Sequence, residues 1–171
     1  MIYRGQVEGK DHRSVGGGTN HQCLPDDPEY NPKAPGAGHS MLRATLYRID
    51  GEQNYKRVPC VACETNQRVN QIMIPGKTRC PSADWTVEYQ GYIMSQAEHN
   101  GGGNDLMGGI YYATSYICVD AQPEAYTNKY INGNDGNLLY FTNAACSGYG
   151  SLENCPPCKN NPTLSCVVCT K

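Results

Sequence analysis

Apolar residues fall in short runs along this chain, and no window longer than ten residues carries the three-and-four spacing of a helix. Glycine and proline interrupt nearly every run. The short runs predict strands instead. Ile2-Tyr3 opens the chain with a strand-like piece, Leu42 to Tyr47 alternates, and Val58 to Cys63 follows. Later come Ile72 to Pro75, Trp85 to Tyr89, Leu138 to Phe141 and Ser165 to Cys169, and one apolar run ends at Cys118. The expected class is mostly β, with short strands joined by long loops. Loops of this length inside a compact domain are usually functional.

The pattern repeats. Tyr3-x-Gly5 is echoed by Tyr89-x-Gly91, and His12 by His99. The glycine-rich loop from Gly16 to Asn20 has a longer counterpart from Asn100 to Gly109. Cys23 to Pro28-Glu29 matches Cys118 to Pro123-Glu124 with the same spacing, and Leu46-Tyr47 matches Leu139-Tyr140. Pro59-Cys60-Val61-Ala62-Cys63 matches Ser165-Cys166-Val167-Val168-Cys169. Matches in one order predict a tandem duplication of a unit of roughly 85–95 residues. The expectation is a single domain over 1–171, made of two pseudo-symmetric β-rich repeats at about 1–66 and 67–171.

Composition sharpens this picture. The 171 residues include 10 Cys, 19 Gly, 11 Pro and 13 Tyr, but a single Phe. An even cysteine count in a glycine- and proline-rich chain predicts a disulfide-stapled, secreted protein. Its pairing is open, since ten cysteines allow about 945 connectivities. Zinc is the competing reading, because Cys-x-x-Cys occurs at Cys60/Cys63, Cys155/Cys158 and Cys166/Cys169. Four further cysteines without an evident metal role weigh against it. The net charge is −2 with scattered Lys and Arg, so no nucleic-acid partner is expected. No apolar run approaches a membrane span, so no membrane insertion is expected either. No apolar leader follows Met1, and any signal peptide is expected to be absent from the chain as read.

Candidate chemistry gathers between Cys118 and Phe141. A turn with Asp120, Gln122, Pro123 and Glu124 is followed by a loop with Asn134-Asp135-Gly136. Hard oxygen donors from two neighbouring turns suit calcium. The bland alternative is that these residues only form turns. Gln122-Pro123-Glu124 plus Asn134-Asp135 resembles, in ligand type and order, the set by which C-type lectins hold calcium and a sugar diol; this is an analogy of chemistry alone. Asp120, Gln122, Glu124, Asn134 and Asp135 are thus the expected metal ligands. Gln122, Glu124 and Asp135 would also meet the sugar, with Tyr126 as its aromatic face. Tyr116, Tyr130 and His99 are rivals for that role. Asp26, Asp27 and Glu29, with His39, form a weaker candidate in the first repeat, which lacks an Asn-Asp-Gly counterpart. There is no Gly-x-Ser-x-Gly, His-Glu-x-x-His or phosphate loop, and no enzyme is expected.

The segments GGGTNHQCLPDDPEY, IPGKTRCPSADWTVEYQGYIMS, YICVDAQPEAY, NDGNLLYF and LSCVVCTK resemble the non-collagenous domain of short-chain collagen C4-like (spongin-type) proteins. The same pattern is similar to that of small calcium-dependent galactose-binding lectins of marine invertebrates. The resemblance implies an extracellular, disulfide-bonded β domain with a calcium-assisted site for galactose-type glycans. The chain has no Gly-X-Y repeat and is not itself a collagen. Nor does a counterpart of Ile74 to Trp85 precede Tyr3, which leaves Cys80 without an equivalent in the first repeat. Two functions are therefore carried forward: a secreted lectin, which gains avidity as a homo-oligomer, and a structural matrix module without sugar binding.

Overall fold

A computed structural model describes residues 1–14, 16–31, 40–97, 113–127, 136–144 and 162–171. Among them the regular elements are nine strands and no helix, so no helix is long and apolar enough to cross a membrane. The strands are β1 (Tyr3–Gly9), β2 (Gln22–Pro25), β3 (Arg43–Tyr47), β4 (Pro59–Ala62), β5 (Gln71–Pro75), β6 (Thr86–Ser95), β7 (Ile117–Asp120), β8 (Asn137–Phe141) and β9 (Ser165–Thr170). They fall into two compact units, each discontinuous in sequence. One holds Met1–Glu64, Ser95–Ser115 and Glu124–Tyr140; the other holds Thr65–Met94, Tyr116–Pro123 and Phe141–Lys171.

The first unit is built around β1. Its inward positions are Gly5, Val7 and Gly9, so a single apolar side chain marks the buried face. That is why the sequence pattern shows only its start, at Ile2-Tyr3. Antiparallel β2 covers one edge of β1, from Gly5↔Pro25 to Glu8↔Gln22. The other edge is shared by β4, from Tyr3↔Ala62 to Gln6↔Pro59, and β3, at Glu8↔Ala44 and Gly9↔Arg43. Parallel β8 then extends the sheet at Thr45↔Asn137, Leu46↔Leu138 and Tyr47↔Leu139. Val7, Leu46, Tyr47, Val58, Leu138 and Leu139 make the core. Leu46 and Leu139 are fully buried, each worth about 2 kcal/mol of transfer free energy. Beside them, the buried Asn137 Nδ2 donates to the buried Thr45 Oγ1 at 3.0 Å, while Asn137 Oδ1 has no hydrogen-bond partner among the described residues.

In the second unit β6 occupies the middle. It pairs antiparallel with β7, from Gly91↔Asp120 to Met94↔Ile117, and with β9, from Thr86↔Thr170 to Tyr92↔Ser165. The β6–β9 register slips between Val87 and Tyr89, leaving Glu88 as the extra residue of a bulge. Arg68 answers it, donating to Glu88 Oε1 at 2.9 Å and to Thr170 Oγ1 at 2.8 Å. On its far edge β9 pairs with β5, from Gln71↔Thr170 to Pro75↔Cys166. A strand flanked on both edges is buried throughout: Cys166, Val167 and Cys169 are fully buried.

Three disulfides hold these arrangements: Cys23–Cys60, Cys80–Cys169 and Cys118–Cys166. The pairing removes Cys60, Cys166 and Cys169 from any zinc site and fits an oxidising, extracellular setting. Cys63 is exposed and free, and Cys146, Cys155 and Cys158 lie outside the described residues.

Two of the bridges share a device. Cys23 and Cys60 stand on β2 and β4, which flank β1, yet their Cα atoms are 5.8 Å apart. Strands on either side of a third would lie about 9–10 Å apart in a flat sheet. The two therefore close over β1, and Gly5 is the residue beneath. A Cβ there would stand 1.8 Å from the Leu24 carbonyl oxygen. Cys118 and Cys166 repeat this across β6, at the same 5.8 Å, with Gly91 beneath and Val119 O 1.7 Å from its notional Cβ.

Candidate functional site

The turn after β7 begins where the Cys118–Cys166 bridge ends. Ala121 N donates to Gln90 O at 3.0 Å, tying the turn to β6. Gln122 N donates to Asp120 Oδ1 at 2.8 Å, an Asx turn that fixes this carboxylate beside the chain. Behind it, Tyr89 Oη donates to Cys118 O at 2.9 Å. Burial raises the Tyr89 pKa, and the Asp120 charge raises it further. Asp120 and Gln122 are exposed at the surface of the second unit.

Glu124 and Tyr126 belong to the first unit. Glu124 is exposed. Tyr126 is anchored three ways: its N donates to Arg57 O at 3.2 Å, and its hydroxyl reaches Gly5 O at 3.3 Å and Asp26 Oδ1 at 3.2 Å. Burial first, then the Asp26 charge, raises the phenol pKa. Tyr116, a rival platform, is 63% exposed. Asn134, Asp135, His99, His39 and Tyr130 lie outside the described residues.

Gly136 closes the Asn134-Asp135 loop and is held firmly. Its N donates to Asp11 Oδ2 at 3.4 Å, and its carbonyl accepts from His12 N and His12 Nδ1, each at 2.9 Å. Its φ is +112°, and a Cβ would approach Ala44 O to 2.5 Å, so only glycine suits this turn. Burial pushes the Asp11 pKa up, but hydrogen bonds from Arg13 and from Gly136 N, with the Arg13 charge, bring it below the usual carboxylate value. Gly136 thus stands beside Asp11 and His12 in the first unit. In the sequence His12 stands out only as an echo of His99, and Asp11 does not stand out. The Asp-x-Arg spacing of an Asx turn was its available signal.

The earlier candidate turn is differently placed. Asp26 N donates to Arg4 O at 3.3 Å, matching the tie made by Ala121. The Asp26 carboxylate, however, already meets Arg4 Nε at 3.3 Å as well as the Tyr126 hydroxyl. A cation there would compete with a guanidinium. Asp27 and Glu29 are exposed. Among the described residues, no three His, Cys, Asp or Glu side chains gather into a metal-binding group.

Compared with known proteins, the chain matches no family model, no curated protein and no solved structure.

Proposed function

We propose that the chain is a secreted, calcium-dependent lectin for galactose-type glycans, related to the spongin-type domains and marine lectins whose segments it resembles. The carrying observation is the turn after β7: oxygen-bearing Asp120, Gln122 and Glu124 are exposed on a segment that a disulfide and the Ala121–Gln90 bond hold in place. Carboxylate and amide oxygens in this number suit a hard divalent cation. Gln122, Glu124, Asn134 and Asp135 would hold calcium, with Asp120 as a further ligand or as the brace of the turn. Bound calcium supplies open coordination positions for two vicinal hydroxyls. The same carboxylates and amides accept the protons of those hydroxyls, and Tyr126 offers a ring to the apolar face of the sugar.

We also infer that the chain arose by tandem duplication. Its support is the shared register around Gly5 and Gly91: these pair with Pro25 and Cys60, and with Asp120 and Cys166.

Agglutination of galactose-bearing cells tests the lectin directly. Activity abolished by EDTA and by free galactose is expected. Asp135→Ala and Glu124→Gln should each weaken sugar binding about tenfold or more, since calcium affinity follows ligand charge. Thermal unfolding of both variants without calcium should stay at the wild-type midpoint. A matrix module is the second reading, favoured by the use of Asp120 in its own turn and of Asp26 in contacts with Arg4 and Tyr126. It predicts no agglutination and no effect of calcium on the fold.

A further inference from the structure

The first unit carries a cleft of about 450 Å³ that shares none of the proposed calcium ligands. Among the described residues Lys10, Arg13 and Arg43 line it, with Asp11 as the one carboxylate. In a chain of net charge −2, three cations on one concavity are a concentration that local sequence does not suggest. They reach it by topology: Gly9 pairs with Arg43 across β1 and β3, which places Lys10 beside the start of β3. The turn through Asp11 then returns Arg13 to the same rim, with Ser14 N on Asp11 O at 3.0 Å.

Each lining group has a defined posture. Lys10 is 5% exposed, and its stem lies under the glycine loop, where a Cβ on Gly17 would be 3.8 Å from Lys10 Cγ. Gly17 has φ +97°, so this loop is shaped to cover the lysine. Asp11 accepts from Arg13 N at 2.8 Å, Arg13 Nε at 3.4 Å and Gly136 N at 3.4 Å, so its carboxylate offsets one of the three cations. The exposed Arg43 contacts the Met41 sulfur at 3.6 Å through one Nη, and its other guanidinium donors are in excess of that contact. Ser14 and Ser40 add hydroxyls to the wall, and no aromatic ring lines it among the described residues.

We propose that this cleft is a second ligand site, for a small polar ligand bearing an oxyanion such as a sulfate ester, phosphate or carboxylate. Arginine forks match two oxygens of such a group, lysine adds a point charge, and the serine hydroxyls can serve the remaining oxygens. The volume lies within the range of small-molecule sites and leaves room for a sugar ring behind the charged group.

Calorimetric titration of the full chain, in EDTA and at fixed ionic strength, tests this apart from the lectin proposal. The probes are inorganic sulfate, galactose 6-sulfate, galactose 6-phosphate, galacturonate and neutral galactose. At least one anionic sugar should bind about tenfold more tightly than galactose, and the strongest of them identifies the oxyanion. Arg13→Ala with Arg43→Ala should remove that preference, while Arg79→Ala, on the second unit, should not. Amide shifts of Gly16 and Gly17 should move with the bound anion in the wild type. Equal binding of charged and neutral sugars, or a preference that survives the double substitution, overturns the proposal.

Discussion

The segments around β1 and β6 are wired alike at their centres and differently at their edges. Tyr3 and Tyr89 each donate a hydroxyl to the carbonyl of a bridged cysteine, Cys23 at 3.0 Å and Cys118 at 2.9 Å. Val7 faces Cys23 as Ile93 faces Cys118. Outward from there they diverge. β9 has β5 on its far edge, and Val167 is 0% exposed; Val61, at the matching place on β4, is 58% exposed. Cys169 is bridged to Cys80, whereas Cys63 is an exposed free thiol. One pattern of residues therefore lies on a buried strand paired along both edges and, among the described residues, on a surface strand paired along one.

Removing the bridges should have the largest effect. Cys118→Ser with Cys166→Ser, and Cys23→Ser with Cys60→Ser, should each cost about 3 kcal/mol of unfolding free energy. The sequence separations are 48 and 37 residues, and chain entropy alone makes the two costs differ by only about 0.2 kcal/mol. Denaturant midpoints measured side by side check this. A difference of several kcal/mol would mean that the edges, not the shared centre, set the stability.

Glycine substitution comes next. Gly5→Ala and Gly91→Ala each push a methyl group against a main-chain carbonyl that has no side-chain freedom to yield. Each should lose about 2–3 kcal/mol. Wild-type midpoints in either variant would show that the close approach is not obligatory.

Tyr3→Phe and Tyr89→Phe are the mildest probes, each removing one partly buried hydrogen bond worth about 1 kcal/mol. Tyr89→Phe has a second readout, since the hydroxyl it deletes stands near Asp120. Calcium affinity should change in that variant and stay fixed in Tyr3→Phe. Equal responses would separate Asp120 from the metal.

The β class and the disulfide staples were legible from composition and short apolar runs. The lengths of β1 and β6 were not. Gly5 and Gly9 hide the inward face of β1, and the bulge at Glu88 breaks the alternation of β6. Cysteine connectivity was closed to sequence because it depends on which strands flank which. At the candidate site, sequence located the oxygen-bearing turn, but not that Asp26 would be held by Arg4 and Tyr126, residues 22 and 100 positions away. The cleft of Lys10, Arg13 and Arg43 was equally hidden, since the β1–β3 pairing brings its parts together.

A calcium anomalous-difference map from a crystal grown with calcium and soaked in galactose tests the central claim most directly. The account predicts one ion among oxygens of Gln122, Glu124, Asn134 and Asp135, with two adjacent sugar hydroxyls completing its shell. A map showing sugar bound with no ion at those residues, or neither ion nor sugar there, contradicts it.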